Sequence, residues 1–512
     1  MEYEPVIGLE IHAELKTKTK MFCDCLNNSD EKEPNKNICP VCLGHPGTLP
    51  VINKKAVEAV IKVGLALESE VPEFSKFDRK NYFYPDLPKG YQISQYDEPL
   101  CRGGKLKLFL SNDHQESLKE IDITRVHLEE DAGKLIHPED KNLSRFARQN
   151  LVSRSARNKK STLIDFNRAG VPLMELVTEP VIHTGKEARL FSQGLQLLLK
   201  TLGVSEADME KGQMRCEVNI SLKPKNQKEL GTKVEVKNLN SFRAVERAID
   251  YEIKRQIDLL DDGEKIIQET RGWDQVKEIT YSQRSKEEAQ DYRYFPEPDL
   301  PPLHLYSKTK EGGLFDLEQM KSQLPELPWQ KKQNLIQIYN IPSQRANLLV
   351  QDDKALLLFR DTVTKLDPKN RERGIPLVCN YLTTDILGIK EKEDLTWEDI
   401  KLSSDNFSQL INNLASDTVS SRVGKDILLD IIHSNQNVGE IIKTKGLEKI
   451  SDQSVLIPTI NEVIKNNHKA IEDYKKGKEN ALQFLVGQAM AKLKGAADPE
   501  ILEQLIKDKL RG

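Results

Sequence analysis

Alternating apolar and polar positions dominate the first part of the chain and predict β-strands. Successive side chains of a strand point to opposite faces, so every second residue shares a face. Four segments alternate in this way, namely VIGLEIHAEL, ITRVHLEEDAG, QMRCEVNISL and GTKVEVKNLNSF. Each has one apolar face and one face that carries a carboxylate beside Arg, His, Asn or Lys. The pattern predicts an antiparallel sheet with a core face and a polar face.

The polar faces of these strands supply the candidate chemical residues. Glu10 and His12 share the polar face of the first segment, and the other three segments contribute Glu129, Glu217 and Glu235. For any one of these strands taken alone, exposure of that face of the sheet to solvent explains the polar residues. Four such strands together favour a site for a hard divalent ion such as Mg²⁺ or Mn²⁺, and hence phosphoryl transfer. The sequence has no GxxxxGKS/T and no GxGxxG strand-turn-helix motif, so a P-loop or Rossmann enzyme is not expected.

Proline marks the end of the strand-rich part. Neither a helix nor a central strand passes through DYRYFPEPDLPPL, so we expect a first domain over residues 1–305. Apolar residues then recur with helical spacing, and a new stripe follows the cap candidate Ser403. This predicts a helical domain over 306–400 and a helical tail over 401–512. The aromatic run YRYF either stacks on a nucleobase or packs at the domain boundary.

Four of the seven cysteines are clustered in one short segment, 22–43. They are Cys23, Cys25, Cys39 and Cys42. The spacing C-x-C-x13-C-x2-C places four thiolates on two short knuckles, which suits a closed tetrahedral Zn²⁺ site of structural type. Four reduced cysteines packed as small apolar side chains remain the alternative. The isolated Cys101, Cys216 and Cys379 are expected in the core.

Charge and hydropathy exclude some classes of protein. The 512 residues include 76 Lys and Arg against 80 Asp and Glu, a net charge of -4, so a globally basic nucleic-acid binder is excluded. The stretch over 141–168 is basic, with eight Lys or Arg and one acid. It either binds nucleic-acid phosphates or is a solvated insertion. No apolar run approaches the roughly 18–20 residues of a membrane span, and the first residues resemble no targeting peptide. We expect a cytoplasmic protein.

The chain resembles the GatB/GatE family, whose GatB members are subunits of the aspartyl/glutamyl-tRNA(Asn/Gln) amidotransferase. Long phrases in the same order carry the resemblance over nearly the whole chain. They include VIGLEIHAELKTKTKMFC, CPVCLGHPGTLPVIN, FDRKNYFYPDLPKGYQISQ, HLEEDAGK, DFNRAGVPLMELVTEP, MRCEVNISL, VEVKNLNSFRAVERAI and SKEEAQDYRYFPEPDLPPL. The segment GKENALQFLVGQAMAKLKG is similar to the YqeY domain.

This resemblance implies a fold and a reaction. The implied fold is α+β, with an antiparallel-sheet cradle similar to the glutamine synthetase catalytic fold, then a helical domain and an all-α YqeY-like tail that binds tRNA. The implied enzyme is an ATP-dependent ligase that phosphorylates the side-chain carboxylate of Glu-tRNA(Gln) or Asp-tRNA(Asn), after which ammonia displaces phosphate. A separate amidase subunit makes the ammonia from glutamine, and a small third subunit completes a heterotrimer. No Ser-Ser-Lys amidase signature occurs in this chain.

The resemblance also assigns roles to residues. It places an acidic pocket for Mg²⁺ and the ATP phosphates on Glu10, His12, Glu129, Glu217 and Glu235, with the first three as Mg²⁺ ligands. It places Lys80, Tyr82 and Lys89 in a loop between this pocket and the ammonia channel. The family more often has Asp at position 217, and the extra methylene of Glu217 changes the reach of the carboxylate.

Two other functions are weighed against this one. The archaeal-type GatE homologue carries an inserted domain. A chain of 512 residues is short for a protein with that domain, so its length disfavours this alternative. A catalytically silent tRNA-binding scaffold has no reason to concentrate carboxylates beside a polyanion. The choice between Glu-tRNA(Gln), Asp-tRNA(Asn) or both stays open, because it also depends on the synthetases of the cell.

Overall fold

The computed structural model gives sixteen strands over the residues that it describes. These residues are 2–112, 115–136, 162–285, 291–307, 313–434, 436–445, 447, 453–475, 477–493, 497 and 499–511. In chain order the strands are β1 (Tyr3–Glu14), β2 (Phe74–Ser75), β3 (Asp78–Asn81), β4 (Tyr91–Ser94), β5 (Cys101–Arg102), β6 (Lys105–Asn112), β7 (Gln115–Glu130), β8 (Lys134–Ile136), β9 (Leu163–Asp165), β10 (Pro172–Thr178), β11 (Met214–Pro224), β12 (Val234–Leu239), β13 (Glu269–Asp274), β14 (Ile279–Ser285), β15 (Phe295–Pro296) and β16 (Leu303–His304).

Nine of these strands form one large sheet. Its order is β14-β13-β12-β11-β1-β10-β7-β5, and β6 pairs with β7. Every ladder of the sheet is antiparallel except β12 with β13. The four alternating segments of the sequence are β1, β7, β11 and β12, so all four lie in this sheet. The predicted antiparallel sheet is confirmed.

Three helices cover the apolar face of the sheet. They are α1 (Lys54–Ala66), α2 (Gly185–Thr201) and α3 (Phe242–Asp261), and the side chains of Asn53, Thr184 and Ser241 cap their amino ends. Ile7, Leu9 and Ile11 of β1 belong to one buried cluster with apolar residues of all three helices. Burial of this face provides the main driving force for folding of the unit. The opposite face is left to polar side chains.

The second part of the chain is helical. Its helices are α4 (Leu317–Ser322), α5 (Pro328–Tyr339), α6 (Ser343–Gln351), α7 (Asp353–Thr364), α8 (Arg371–Asn380), α9 (Leu387–Lys392), α10 (Ser404–Ala415), α11 (Ser421–Ser434), α12 (Val438–Lys445), α13 (Gln453–Asn466), α14 (His468–Lys475), α15 (Glu479–Lys492) and α16 (Pro499–Arg511). A 3-10 turn, Pro368–Asn370, precedes α8, and a π-helical stretch, Tyr381–Ile386, follows it. Ser403 caps α10 by accepting from the amide of Asn406 at 3.3 Å, as its sequence predicts.

The chain divides into two units, Met1–Gln330 and Lys331–Gly512. Helices α13, α15 and α16 of the second unit share a separate apolar cluster, which runs from Leu456 to Ile506. An α+β sheet region followed by helices is therefore confirmed. The likeness to the glutamine synthetase fold and the boundaries near 305 and 400 stay predictions. Among the described helices, none has the length and apolar character to span a bilayer.

A buried ion-pair network on α3 provides a test of this packing. Glu252 is fully buried and accepts from Arg255 at 2.9 and 2.8 Å, while its Oε1 lies 3.1 Å from Nε of Arg271. We expect Glu252→Ala to lower the free energy of unfolding by about 3 kcal/mol, because the largely buried guanidinium groups of Arg255 and Arg271 lose the carboxylate that they share. Glu246→Ala on the same helix, which breaks a partly exposed pair with Arg189, should cost about 1 kcal/mol or less. Urea unfolding measures both, and equal losses would contradict the role of Glu252.

Candidate active site

Neighbouring strands bring the predicted acids onto one face of the sheet. Strand β1 lies between β11 and β10, and β7 lies beyond β10. Directly opposite residues of antiparallel strands share a face, so the register decides which side chains meet. His12 pairs with Arg215 on one side and with Glu175 on the other, and Glu175 pairs with His127. A row of three basic groups and one carboxylate, Glu175, therefore crosses four strands.

Glu175 is the central acid of this row. Its Oε2 atom lies 3.2 Å from Nε2 of His12 and 3.3 Å from Nε2 of His127. Its Oε1 atom lies 3.5 Å from Nη2 of Arg125. Glu175 and His127 are buried, so water screens these interactions only weakly. The carboxylate thus joins the imidazoles of β1 and β7 across the strand that separates them.

Glu10 and Glu129 complete the cluster around His12. Nε2 of His12 lies 3.9 Å from Oε1 of Glu10 and 3.7 Å from Oε1 of Glu129. The hydroxyl of Ser94 donates to Oε2 of Glu129 at 2.9 Å and orients that carboxylate. The three residues named as Mg²⁺ ligands therefore lie together, and Glu175 joins them as a fourth donor.

Negative charge in this cluster exceeds what its neighbours neutralise. Burial, together with the charges of Glu175 and Glu217, raises the pKa of Glu10 to about 7. Burial opposes the charge of His12, but the hydrogen bond to Glu175 and the nearby acids outweigh it and raise the pKa of His12 to about 9. Burial also opposes the charge of Glu175, yet the imidazoles of His127 and His12 hold its pKa well below the ordinary value. A raised carboxyl pKa marks negative charge that a bound cation would relieve.

Two overlapping groups of side chains have the spacing of metal ligands. One ligand atom from each of Glu10, His12 and Glu175 lies within 4.8 Å of the other two. The same holds for His127, Glu129 and Glu175. Carboxylate oxygens with imidazole nitrogen suit Mg²⁺ less well than oxygens alone but suit Mn²⁺ well. The donor set and the raised pKa of Glu10 together fit a divalent cation.

Glu217 and Glu235 extend the acids onto β11 and β12. Glu217 pairs directly with Glu10 across the sheet. Nζ of Lys237 lies 2.9 Å from Oε2 of Glu217 and 3.5 Å from Oε1 of Glu235, and Thr270 donates to Oε2 of Glu235 at 2.7 Å. These two acids are held by Lys237 and lie outside the two ligand groups.

We call the whole surface the acid face, and its members are Glu10, His12, His127, Glu129, Glu175, Glu217 and Glu235.

Lys80 and Lys89, both predicted for the loop beside the pocket, contact different acids. Burial opposes the charge of Lys80, but Glu129 and Glu175 raise its pKa well above the ordinary value. Lys80 is therefore a cation at the edge of the acid face. Nζ of Lys89 instead lies 2.5 Å from Oε1 of Glu130, which also accepts from the amide of Ile93 at 2.9 Å. Glu130 points away from Glu129, as the alternation of the strand requires.

Tyr82, the third predicted loop residue, belongs to a group of tyrosines. Its ring centroid lies 5.9 Å from that of Tyr292, and Tyr292 lies 6.0 Å from Tyr294. Tyr294 stacks on Tyr96 with centroids 4.4 Å apart. Lys80 lies over the ring of Tyr292, 5.1 Å from its centroid. The aromatic run thus packs beside the predicted loop, while Tyr96 keeps 60% of its surface exposed.

The four clustered cysteines form a second candidate metal centre. Their sulfur atoms all lie within 4.8 Å of one another, and Sγ of Cys39 and Cys42 are 3.9 Å apart. Four sulfurs at about 2.3 Å from a tetrahedral zinc are about 3.8 Å apart, so the spacing fits. The amide of Cys39 donates to Sγ of Cys42 at 3.1 Å, and Nζ of the buried Lys20 lies 3.9 Å from that sulfur. Both contacts stabilise thiolate charge.

The remaining sequence predictions have mixed outcomes. Cys101, Cys216 and Cys379 are buried, as expected. Of the eight basic residues of 141–168, seven lie outside the described residues. The eighth, Arg168, donates to the carbonyls of Ala132 at 3.0 Å and Gly133 at 2.8 Å. Arg168 therefore holds the turn after β7, which disfavours a role for this residue in binding phosphates.

Two members of the acid face, Glu175 and His127, were not among the predicted site residues. Glu175 lies in PLMELVT, which is mostly apolar because β10 is buried on both faces. Alternation therefore gives no signal there. The available signal is the single carboxylate in an otherwise apolar strand, since a buried charge is costly unless it is paired.

Comparison with known proteins gives matches over nearly the whole chain. A family model described as the GatB/GatE catalytic domain matches residues 5–311, and one described as the GatB domain matches residues 362–510. The GatB subunit of the aspartyl/glutamyl-tRNA(Asn/Gln) amidotransferase of Carboxydothermus hydrogenoformans is 43% identical over 510 residues, 99% of each chain. The protein of the same name from Caldicellulosiruptor saccharolyticus is 42% identical over 513 residues, 100% of this chain and 99% of its own.

The cysteine cluster yields a prediction about metal content. We expect about one zinc per chain in protein purified without chelator, because four thiolates form a closed site. Cys39→Ser should lower both the zinc content and the stability, since it removes one of the four ligands. Cys379→Ser, which changes a buried cysteine outside the cluster, should leave the zinc content unchanged. Elemental analysis measures the metal, and a folded wild-type protein without zinc would contradict the assignment.

Proposed function

We propose, because this chain belongs to the GatB/GatE family, that it is the tRNA-binding and ATP-using subunit of an amidotransferase. The reaction converts Glu-tRNA(Gln) to Gln-tRNA(Gln), Asp-tRNA(Asn) to Asn-tRNA(Asn), or both. Glutamine is the amido donor, so the enzyme is a ligase that forms a carbon–nitrogen bond. The two relatives that support this proposal match this chain over 99% of their own length.

The acid face is the observation that carries the proposal. It brings carboxylates and imidazoles of five neighbouring strands together beside Lys80. Glu10, His12 and Glu175, with Glu129 next to them, would hold Mg²⁺. Bound Mg²⁺ neutralises phosphate charge during phosphoryl transfer.

The proposed chemistry runs in two steps on the aminoacyl side chain. A carboxylate oxygen of the substrate attacks the γ-phosphorus of ATP, and ADP leaves, which gives an acyl phosphate. Ammonia then attacks the acyl carbon, and inorganic phosphate leaves with the electron pair. The first step makes the second possible because phosphate is a far better leaving group than an oxide ion. The cation of Lys80, which is close to Glu129 and Glu175, would stabilise the negative charge of the transferred phosphoryl group.

The other parts of the chain take supporting roles in this proposal. Residues 1–305 would form the catalytic cradle, 306–400 the helical domain and 401–512 the tRNA-binding tail. The zinc segment 22–43 would be structural, since a four-thiolate site leaves no open position for substrate. The amidase subunit would supply ammonia and the small third subunit would complete the heterotrimer, with Tyr82 and Lys89 beside the path of ammonia.

The acid face leads to a prediction about activity. We expect Glu10→Ala, His12→Ala and Glu175→Ala each to reduce acyl phosphate formation by about a hundredfold or more, with tRNA binding nearly unchanged. The physical reason is the loss of groups that stabilise charge in the transition state, commonly several kcal/mol each. The assay follows ATP-dependent phosphorylation of mischarged tRNA, with free ammonia supplied so that the glutaminase is not limiting.

Glu120→Ala is the matched control for these variants. Glu120 lies on β7 in an exposed pair with Lys105, outside the acid face, so its removal should leave the rate unchanged. Near-normal rates in the three acid-face variants would place the chemistry elsewhere in the protein.

A second prediction concerns the tail. Deletion from about residue 405 should weaken cognate tRNA binding and leave a folded sheet unit with its zinc. The charges of the tail are almost balanced, so it should add shape and a few specific contacts, and the salt dependence of binding should change little. Filter binding of full-length and truncated protein to cognate and unrelated tRNA over a range of salt concentrations measures this. An unchanged preference for the cognate tRNA would show that the tail does not select it.

A further inference from the structure

The proposed reaction brings a negatively charged substrate to a surface that is itself acidic. The side chain of a glutamyl or aspartyl group is a carboxylate, and it must reach the γ-phosphate on the acid face. Like charges repel one another, and they do so more strongly where burial removes water. The substrate therefore needs a cation at this surface that can bind its carboxylate.

Three cations of this surface are already shared between its own members. Nζ of Lys237 lies 2.9 and 3.5 Å from carboxylate oxygens of two acids. Nη2 of Arg125 lies 3.5 Å from Glu175, and its Nε atom donates to Nδ1 of His127 at 3.3 Å. Lys80 is close to two carboxylates, of which Glu175 is one. These three cations offset the charge of the site itself.

Arg215, on β11, is bound in a different way. Its Nη2 atom donates to Oδ2 of Asp131 at 2.7 Å, and this is the one hydrogen bond of its guanidinium within the described part of the chain. Asp131 is not a member of the acid face. The side chain of Arg215 is 34% exposed. A guanidinium has five N–H donors, so four of them remain for a ligand.

Asp131 is fixed by other contacts and so orients this guanidinium. Asp131 is buried, and its Oδ1 atom accepts from the amide of Ala132 at 2.9 Å. Nε of Arg168 lies 3.6 Å from Oδ2 of Asp131. These contacts do not involve Arg215, so the carboxylate keeps its position and a second cation beside it. A charged group that an anchored partner orients needs little reorganisation when it binds substrate.

The ladder of β1 with β11 places Arg215 beside the centre of the acid face. Arg215 lies directly opposite His12. Side chains at such positions share a face, with Cβ atoms about 5 Å apart. Burial opposes the charge of Arg215, but Asp131, Glu14 and Glu129 outweigh it and raise the pKa of the guanidinium. Arg215 is therefore a cation close to the groups that would hold Mg²⁺.

We propose that Arg215 binds the side-chain carboxylate of the aminoacyl group, an inference that rests on the proposed function. The fork of the guanidinium matches the two carboxylate oxygens. One oxygen attacks the γ-phosphorus of ATP, whose bond to the bridging oxygen breaks with its electron pair on ADP. The other oxygen stays on Arg215.

The same contact serves the second step of the reaction. When ammonia attacks the acyl carbon, negative charge develops on the oxygen that Arg215 holds, and the guanidinium stabilises it. The bond between the acyl carbon and the phosphate oxygen then breaks. Phosphate leaves with the electron pair and takes up one proton of the ammonia. Arg215 is thus a catalytic residue that contacts the reacting group in both steps.

This contact also distinguishes the substrate from the product. The amide product keeps one carbonyl oxygen but presents an NH2 donor in place of the second oxygen. A donor that faces the guanidinium cannot bond to it, and the charge of the carboxylate is lost as well. We therefore expect the protein to bind Glu-tRNA(Gln) about tenfold more tightly than Gln-tRNA(Gln), which has the same tRNA body.

Two variants of Arg215 test the proposal. Arg215→Ala removes the cation, and Arg215→Lys keeps the charge but loses the fork. Both should fold, because Asp131 keeps its contacts with Arg168 and the amide of Ala132. Arg189→Ala is the matched control. Arg189 lies on α2, behind the sheet, and pairs with Glu246 at 2.7 Å.

The experiment measures the affinity of the full-length chain for Glu-tRNA(Gln) and Gln-tRNA(Gln), and for Asp-tRNA(Asn) and Asn-tRNA(Asn), by filter binding in Mg²⁺ buffer. We expect the preference for the acidic form to fall from about tenfold to about one in Arg215→Ala, to be intermediate in Arg215→Lys and to be unchanged in Arg189→Ala. Inorganic tripolyphosphate should bind the wild type and all three variants equally. Acyl phosphate formation by Arg215→Ala should be about a hundredfold slower.

The contrary outcomes separate this inference from the proposed function. If Arg215→Ala keeps the preference for the acidic form, or phosphorylates mischarged tRNA as fast as the wild type, the inference is wrong and the proposed function stands. If Arg215→Ala loses tripolyphosphate binding, Arg215 holds phosphate or supports the fold, and the inference is again wrong. If the wild type forms no acyl phosphate on either mischarged tRNA, the proposed function fails together with the inference.

Discussion

Glu175 lies within hydrogen-bonding distance of both His12 and His127, and the geometry of the acid face depends on this contact. Five carboxylates on one face of a sheet repel one another, and burial makes each charge more costly. The two imidazoles are the nearest groups that offset this cost at the centre of the cluster. Because His12 and His127 lie on strands either side of β10, a carboxylate on β10 lies directly opposite both of them. Glu10 remains incompletely neutralised, which is why a cation fits beside it.

The register of the strands determines which side chains lie together on the acid face. A shift of one residue would turn every side chain of β7 to the other face. Glu129 would then leave the cluster, and Glu130, which now pairs with Lys89 and the amide of Ile93, would replace it. The apolar side chains of β7 and β1 oppose such a shift because they pack under the three helices. The core thus fixes the positions of the groups that the other face uses.

Much of this could be predicted from sequence, for a physical reason. Strands with one buried and one polar face carry a period of two, so β1, β7, β11 and β12 and the faces of their acids were evident. Strand β10 is buried on both faces and carries no such period, so Glu175 was missed. Spacing along the chain revealed the cysteine cluster because its members are close in sequence.

Binding of the divalent cation and the ATP phosphates at the acid face is the property on which the proposed function depends. Paramagnetic broadening of histidine ring signals by Mn²⁺ with a non-hydrolysable ATP analogue tests it most directly. We predict that signals of His12 and His127 broaden at low Mn²⁺, whereas those of His183, His304 and His433, which lie outside the acid face, stay sharp. Broadening of the latter group, with His12 and His127 unaffected, would contradict cation binding at the acid face.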